Sequence, residues 1–390
     1  MSIDKKLLWT GIINDGARIG GSVGLYDTTL RDGEQTPGVV FDARQKLAIA
    51  QAIDSLGIAR IEAGFPRVSE EDYDAVKLIS EAGLKAEVWA FSRAVVADVE
   101  VLVDLGVKHT VIESPVSDLK LNAYGVSREK MLERIRASVS FAVGEGITVA
   151  YFGVDGTRAE DDFLEQAYKT AIDAGATEAV GVDTVGIAGP EAVEAFVAKI
   201  CGWLGPEVPV HFHGHDDFGL STASAVAAVR GGARWVQGTI NGMGERAGNA
   251  NLLTVALALE AVYGIETGFV FERAREVSRM VRELSGYPVE AWKPVVGENL
   301  FRRESGAVAS QFHDPPSIEP FAADLVGAKR SIVLGKKSGL DSVRIKAEEL
   351  GLDISDEQRA SVLAAVKELG MQKRGLVSDQ EFREFVQLGT

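Results

Sequence analysis

Eight short β-rich runs recur along the first 240 residues at a nearly fixed interval, and that recurrence limits the possible folds more than any other feature. They fall at residues 23–28, 59–63, 86–91, 108–112, 148–154, 178–182, 208–213 and 234–240. Amphipathic segments lie between them, at 43–56, 70–82, 95–105, 128–143, 161–174, 190–204 and 220–230. Glycines stand where those helices should stop, at Gly57, Gly83, Gly106, Gly146, Gly175 and Gly231. Eight strand–helix units predict an α/β fold of the (β/α)8, or TIM, barrel type. A doubly wound open sheet fits less well, because no Gly-rich dinucleotide turn follows the first strand.

Two further helices, at 253–263 and 270–284, close the barrel. From Gly286 the rhythm changes to a stretch punctuated by Pro288, Pro294, Pro315, Pro316 and Pro320, followed by polar helices at 341–350, 356–369 and 379–387. The expected organisation is an N-terminal arm (1–22), a catalytic barrel (23–285) and a mostly helical C-terminal subdomain (286–390). With 41 Lys+Arg against 57 Asp+Glu the formal charge is −16, and no basic run offers a face for nucleic acid. Residues 9–25 contain Asp15 and Arg18 and are too broken for a membrane span. The single cysteine, Cys201, leaves no intramolecular disulfide, and a cytoplasmic location is the simplest expectation.

Reactive groups in such a barrel belong at the C-terminal ends of strands and in the loops that follow. Residues 26–35 place five ionisable groups in ten positions at the end of strand 1. Strand 7 carries His211, His213 and His215 at i, i+2 and i+4, a spacing that turns all three to one face of a strand. Two neutral imidazoles with a carboxylate from strand 1 would form a facial N,N,O set for a divalent ion, with positions left open for substrate. His211 lies deepest and is expected to support the ligands rather than bind. After strand 8, Glu245, Arg246 and Asn249 sit in a Gly-rich loop that lets backbone approach a ligand. Glu62 and Glu113 end strands 2 and 4, where each would either touch substrate or form an ion pair inside the mouth.

These segments together resemble the DRE-TIM metallolyase superfamily, in its 2-isopropylmalate/homocitrate/citramalate synthase family. The resemblance rests on residues 27–35 (DTTLRDGEQ), 61–66 (IEAGFP), 183–186 (DTVG), 213–219 (HGHDDFG) and 242–249 (GMGERAGN), continuing into Glu304-Ser305-Gly306 and 333–339 (VLGKKSG). It implies a Claisen-type condensation of an acyl-CoA, usually acetyl-CoA, with a 2-oxo acid, followed by thioester hydrolysis. By the same resemblance Asp32, His213 and His215 would hold Mg²⁺, Mn²⁺ or Zn²⁺, with Asn249 as a further ligand. Arg31 would meet the keto oxygen, Thr184 the 2-oxo acid's carboxylate, and Gln35 and Glu245 would line the pocket, with Arg31 and Glu245 carried as catalytic candidates; Glu62 is carried as a substrate contact on its place at the end of strand 2. A homodimer is implied as well.

The chain departs from this pattern where protons should move. The family's Glu at the end of strand 5 is Val154, its His in the subdomain is Val308, and the Asn after the second ligand histidine is Asp216. The base would then come from Asp155, Asp216, His211 or His313, with Asp155 and His313 carried as catalytic candidates. Two alternatives stay open: an aldol or retro-aldol lyase on the same metal and 2-oxo acid site, or a binding homologue without turnover. The acyl-CoA lyases of the superfamily place a Cys after strand 8, where this chain has Glu245-Arg246. Its carboxyltransferases use a strand 5 Lys, absent from residues 148–155.

Overall fold

The computed structural model describes residues 3–388. Eight parallel strands close in sequence order into a barrel: β1 (Gly24–Asp27), β2 (Arg60–Glu62), β3 (Glu87–Arg93), β4 (His109–Pro115), β5 (Thr148–Val154), β6 (Glu178–Asp183), β7 (Val210–Gly214) and β8 (Trp235–Gly238). Closure is made by β8 against β1, from Gly24 opposite Trp235 to Asp27 opposite Gly238. A Cβ on Gly24 would lie 2.2 Å from the Trp235 ring, so glycine is required where the barrel shuts.

The outer layer comprises α1 (Ala43–Asp54), α2 (Glu70–Glu81), α3 (Val96–Asp104), α4 (Asp118–Tyr124), α5 (Arg128–Gly144), α6 (Asp161–Asp173), α7 (Pro190–Leu204), α8 (Ser221–Arg230), α9 (Leu252–Ala261) and α10 (Ala274–Ser285). Their starts follow from local chemistry. Asp42, Ser69, Ser117 and Ser127 each accept a backbone N–H from the first turn of the helix they precede. Most of the expected stops also hold, since Gly57, Gly83, Gly106, Gly146 and Gly175 all have positive φ. Gly231 does not; it stays right-handed and Gly232 makes the turn.

Two differences matter for the mouth. Strands β3 and β4 run to Arg93 and Pro115, beyond the expected ends at 91 and 112, and β4 pairs with β5 without a break from His109–Thr148 to Pro115–Val154. Helix α4 was not expected and follows directly, capped by Ser117 and ended by Gly125 at φ 62°. Inside the barrel, Tyr26, Trp89, Phe91, Val111, Ala150, Phe152, Val180 and Val182 form one apolar cluster. Strand alternation therefore turns Arg93, Glu113, Val154 and Thr184 inward at the next level towards the mouth.

The chain divides into two compact units, the first formed mainly by Ile12–Pro288. Residues 12–22 belong to it, with Ile19 N–H donating to Tyr263 O and Ser22 bridging Glu266. The second unit contains Asp4–Gly11 and the chain from Val289 onward. Its short parallel pair, β9 (Arg302–Arg303) and β10 (Ser331–Ile332), packs with α11 (Gly306–Ala309), α12 (Leu340–Glu349), α13 (Asp356–Lys373) and α14 (Asp379–Leu388). Ile332, Leu334, Val343, Val362, Val366 and Phe382 make its core. Here Gly306 and Gly339 approach so closely that a Cβ on either would meet the other's backbone at 2.6–2.8 Å. Lys337 is tied to Glu304 through both its backbone N–H (3.0 Å) and its ammonium (3.5 Å).

Candidate active site and metal centre

The loop after β1 and the end of β7 meet at the barrel axis. Asp32 Oδ2 lies 3.1 Å from His213 Nε2 and 3.7 Å from His215 Nε2, and the two imidazole nitrogens are 3.4 Å apart. All three residues are buried. They are the one group of three or more His, Cys, Asp or Glu side chains with metal-ligand geometry among the described residues. Burial, with the positive charges of Arg246 and Arg31, outweighs the pull of Asp32 and holds His215 down to about 4, so its imidazole stays neutral. Burial alone would raise the Asp32 carboxyl, but Arg31 and the hydrogen bond from His213 outweigh it and keep the group well below the carboxylate range.

A divalent ion fits this set. Asp32 Oδ1 and Asn249 Oδ1 are buried acceptors with no hydrogen-bond partner, an arrangement that costs free energy unless a cation or ordered donor satisfies them. Asn249 reaches the cluster because its backbone bridges His215, and its Nδ2 donates to Met243 O at 3.0 Å, which reserves Oδ1 as the free atom. Gly244 makes room for that amide: a Cβ there would stand 2.3 Å from Asn249 Nδ2, and φ is +155°.

Arg31 is held beside the cluster by three different contacts. Its Nε donates to Glu62 Oε2 (2.8 Å), Nη1 pairs with Asp32 Oδ2 (3.0 Å), and the guanidinium stacks 4.4 Å from the Phe91 ring centroid. Nη2 is buried and unpartnered, a cationic donor with no protein acceptor. Glu62 also accepts from the Thr28 hydroxyl and is fully buried. It thus orients Arg31, the ion-pair role of the two open to it from sequence. The β1 loop itself is anchored from outside the barrel by buried Lys46 of α1, 2.5 Å from both Glu34 and Asp72. A lysine on an amphipathic helix gives no sequence signal for that role.

Thr184 Oγ1 accepts the Asp155 N–H at 2.8 Å, which leaves the hydroxyl proton for a ligand. Asp155 is fully buried with both oxygens engaged: Arg158 binds them at 2.7 and 2.8 Å, and Ser117 donates to Oδ2 at 2.5 Å. As the site stands, Asp155 anchors the β5 loop and is not free to accept a proton. Asp216 accepts the Ser221 N–H at the start of α8. Glu245 pairs with Arg246 (2.7 Å) at the exposed rim, and Arg246 in turn grips Asp217 and Thr184 O. Gln35 is exposed on the short turn after Asp32. His313 lies in the second unit, exposed, with Nδ1 3.1 Å from Ser310 O.

His211 belongs to a deeper layer. It contacts Glu178 through Nε2 and Gln237 through Nδ1, and Glu178 receives Arg60 bidentately at 2.6 and 3.0 Å. Arg60 is sandwiched by Trp89 and Trp235, at 4.7 and 3.6 Å from their centroids. Burial keeps the His211 ring neutral against the pull of Glu178. His211 thus stands apart from the Asp32–His213–His215 group, within a buried layer of its own. Its other members, Arg60 and Glu178, carried no signal in the sequence beyond opposite charge on inward strand positions.

Comparison with known proteins agrees with the geometry. Residues 22–281 match the HMGL-like family, and residues 295–374 match the homocitrate synthase post-HMGL domain-like family. The chain belongs to the DRE-TIM metallolyase superfamily, in its homocitrate/isopropylmalate/citramalate synthase family. Within this synthase family it is 46% identical to the homocitrate synthase AksA of Methanopyrus kandleri, over 93% of this chain and 91% of that protein. It is 42% identical to a putative (R)-citramalate synthase CimA of Archaeoglobus fulgidus, over 94% of this chain and 75% of that one. A probable 2-isopropylmalate synthase of M. kandleri is 40% identical, over 89% and 70% respectively. Among solved structures, the HMG-CoA lyase of Brucella melitensis superposes with a TM-score of 0.61 at 18% identity, covering 68% of this chain and all of that one. That likeness bears on the barrel fold alone. Among the described residues no helix is long and apolar enough to cross a membrane.

Proposed function

We propose that the protein condenses an acyl-CoA, acetyl-CoA above all, with a 2-oxo acid and then hydrolyses the thioester. The observation that carries this reading is the buried Asp32–His213–His215 set with the unpartnered Nη2 of Arg31 beside it. Synthase relatives at 40–46% identity over most of the chain support it. Two imidazoles and one carboxylate suit Mg²⁺, Mn²⁺ or Zn²⁺, and such an ion, when bound, supplies the Lewis acidity that polarises a keto carbonyl.

The chain's own residues supply the rest. Arg31 is fixed by Glu62 and Asp32, so its spare N–H is oriented before negative charge grows on the keto oxygen, where a preorganised donor contributes most. The Thr184 hydroxyl donates to the carboxylate of the 2-oxo acid and orients it in the mouth. The apolar rings of Phe91 and Phe152 exclude water around the guanidinium and strengthen its field. A homodimer is proposed on the family resemblance, and sedimentation velocity of the full chain tests it.

The function is tested by free-thiol release from acetyl-CoA with pyruvate, 2-oxoisovalerate and 2-oxoglutarate, each with Mg²⁺, Mn²⁺ or Zn²⁺. Stoichiometric thiol and a 2-hydroxy-2-carboxymethyl acid as product are expected with at least one pair. Retained metal with no thiol from any pair refutes the reading.

A further inference from the structure

Condensation requires a group that removes a proton from the carbon next to the thioester, and the carboxylates around the mouth differ sharply in their freedom to do so. Asp27 is bound by the Thr29 N–H and hydroxyl, Asp32 belongs to the ligand set, and Glu62 holds Arg31 and Thr28. Asp155 is clamped by Arg158 and Ser117, Asp183 accepts from Thr157 and from the Ile187 and Ala188 backbone, and Asp216 accepts the Ser221 N–H. Asp217 and Glu245 are both paired with Arg246.

Glu113 is the exception. It stands on β4 with Arg93 opposite it on β3 and Phe152 opposite it on β5, and strand alternation turns it into the mouth. It borders a cavity of about 320 Å³ whose wall includes Arg93, Tyr124, Met131, Arg134 and Val154. Among the described residues no side chain forms a hydrogen bond or ion pair with its carboxylate, although charged groups face it from each neighbouring element: Arg31 and Asp32 after β1, Glu62 on β2, Arg93 on β3 and Arg134 on α5. Burial pushes the carboxyl up to about 7, against the pull of Arg31 and Arg93. A carboxyl raised towards neutrality suits proton transfer near neutral pH.

We propose that Glu113 is the acid–base carboxylate of the condensation and that the cavity it borders receives the acyl end of the thioester. The inference rests on the condensing activity proposed above. Glu113 takes a proton from the acyl α-carbon, and the C–H electron pair forms the new bond to the keto carbon of the 2-oxo acid. The keto π electrons move to its oxygen beside Arg31, and that oxygen takes up a proton. Water then cleaves the C–S bond, giving a carboxylate, free CoA thiol and one proton.

The test uses the full-length, metal-loaded protein. Glu113→Gln is expected to lower kcat by about 10²- to 10⁴-fold, the usual contribution of a positioned base, while KM for the 2-oxo acid and metal content stay near wild type. Exchange of acetyl-CoA methyl protons into D₂O, followed by NMR with a 2-hydroxy acid in place of the 2-oxo acid, should fall with kcat. Glu113→Asp should recover part of the rate, and so should Glu113→Gln with Val154→Glu, which returns a carboxylate to the same cavity. Glu113→Gln turnover within about tenfold of wild type overturns the proposal. So does loss of metal and 2-oxo acid binding in step with rate, which marks a structural role. Where wild type itself releases no thiol, the condensing activity fails rather than the assignment of Glu113.

Discussion

Glu178→Gln offers a direct measurement of how much the layer beneath the site contributes to the barrel. The carboxylate is buried, receives Arg60 at 2.6 and 3.0 Å and contacts His211. Burial by itself would raise its pKa, but the hydrogen bonds from His211 and Arg60, with the charge of Arg60, bring it down from 4.5 to about 2. A fall of about 2.5 pH units corresponds to about 3 kcal/mol in favour of the folded state. Mutational experience with broken buried ion pairs, about 3–5 kcal/mol, gives the same scale by a separate route. For a barrel-sized unit that means a Tm about 6–12 °C lower in the variant. Because the folded value is depressed, this stabilisation is fully present above the unfolded value of 4.5 and is lost as pH falls towards 2. The difference between wild type and variant should therefore shrink to about 2 kcal/mol near pH 3.5. Urea unfolding can be followed by tryptophan fluorescence, since Trp89 and Trp235 both stack on Arg60. A Tm change under about 3 °C, or a difference that does not narrow with acid, refutes the argument.

Three further outcomes concern the site. Asp32→Ala should leave no divalent ion after dialysis, measured by elemental analysis, and retained metal with intact 2-oxo acid binding shows that the ligand set is wrong. Glu62→Gln removes the carboxylate charge paired with Arg31, so kcat should drop by about 10- to 100-fold at nearly constant metal content; an unchanged rate shows that Arg31 needs no such charge beside it. Gly244→Ala drives a methyl into the Asn249 amide, and metal affinity by calorimetry should weaken by about 10- to 100-fold, whereas unchanged affinity removes Asn249 from the ligand shell.

The barrel was legible because its evidence is repeated: eight alternations of period and a capping residue or glycine at most junctions. The extension of β4 was not, since Ser114-Pro115 reads locally as a turn and only pairing with β5 makes it strand. The strand 7 histidines were visible through parity, which is a property of the backbone. The fate of each carboxylate was not, because its partners come from elsewhere in the fold. Asp155 looked available until Ser117, 38 positions away, closed on it. Glu62 stood open between two roles until Arg31, 31 positions away, decided it. Glu113 shows the reverse case, an acid at a strand end whose importance lies in the absence of a nearby partner among the described residues. That absence has no sequence signature.

The Arg60–Glu178–His211 layer has a kinetic consequence. Packed between two tryptophans and buried throughout, it blocks passage along the barrel axis from below, so both reactants and both products share the opening above Asp32. A thioester seated first would stand across the route of the smaller 2-oxo acid. The shared doorway thus imposes a queue, with the oxo acid entering before the acyl-CoA. Its signature is a dead-end acyl-CoA analogue that competes with acyl-CoA and inhibits uncompetitively against the oxo acid.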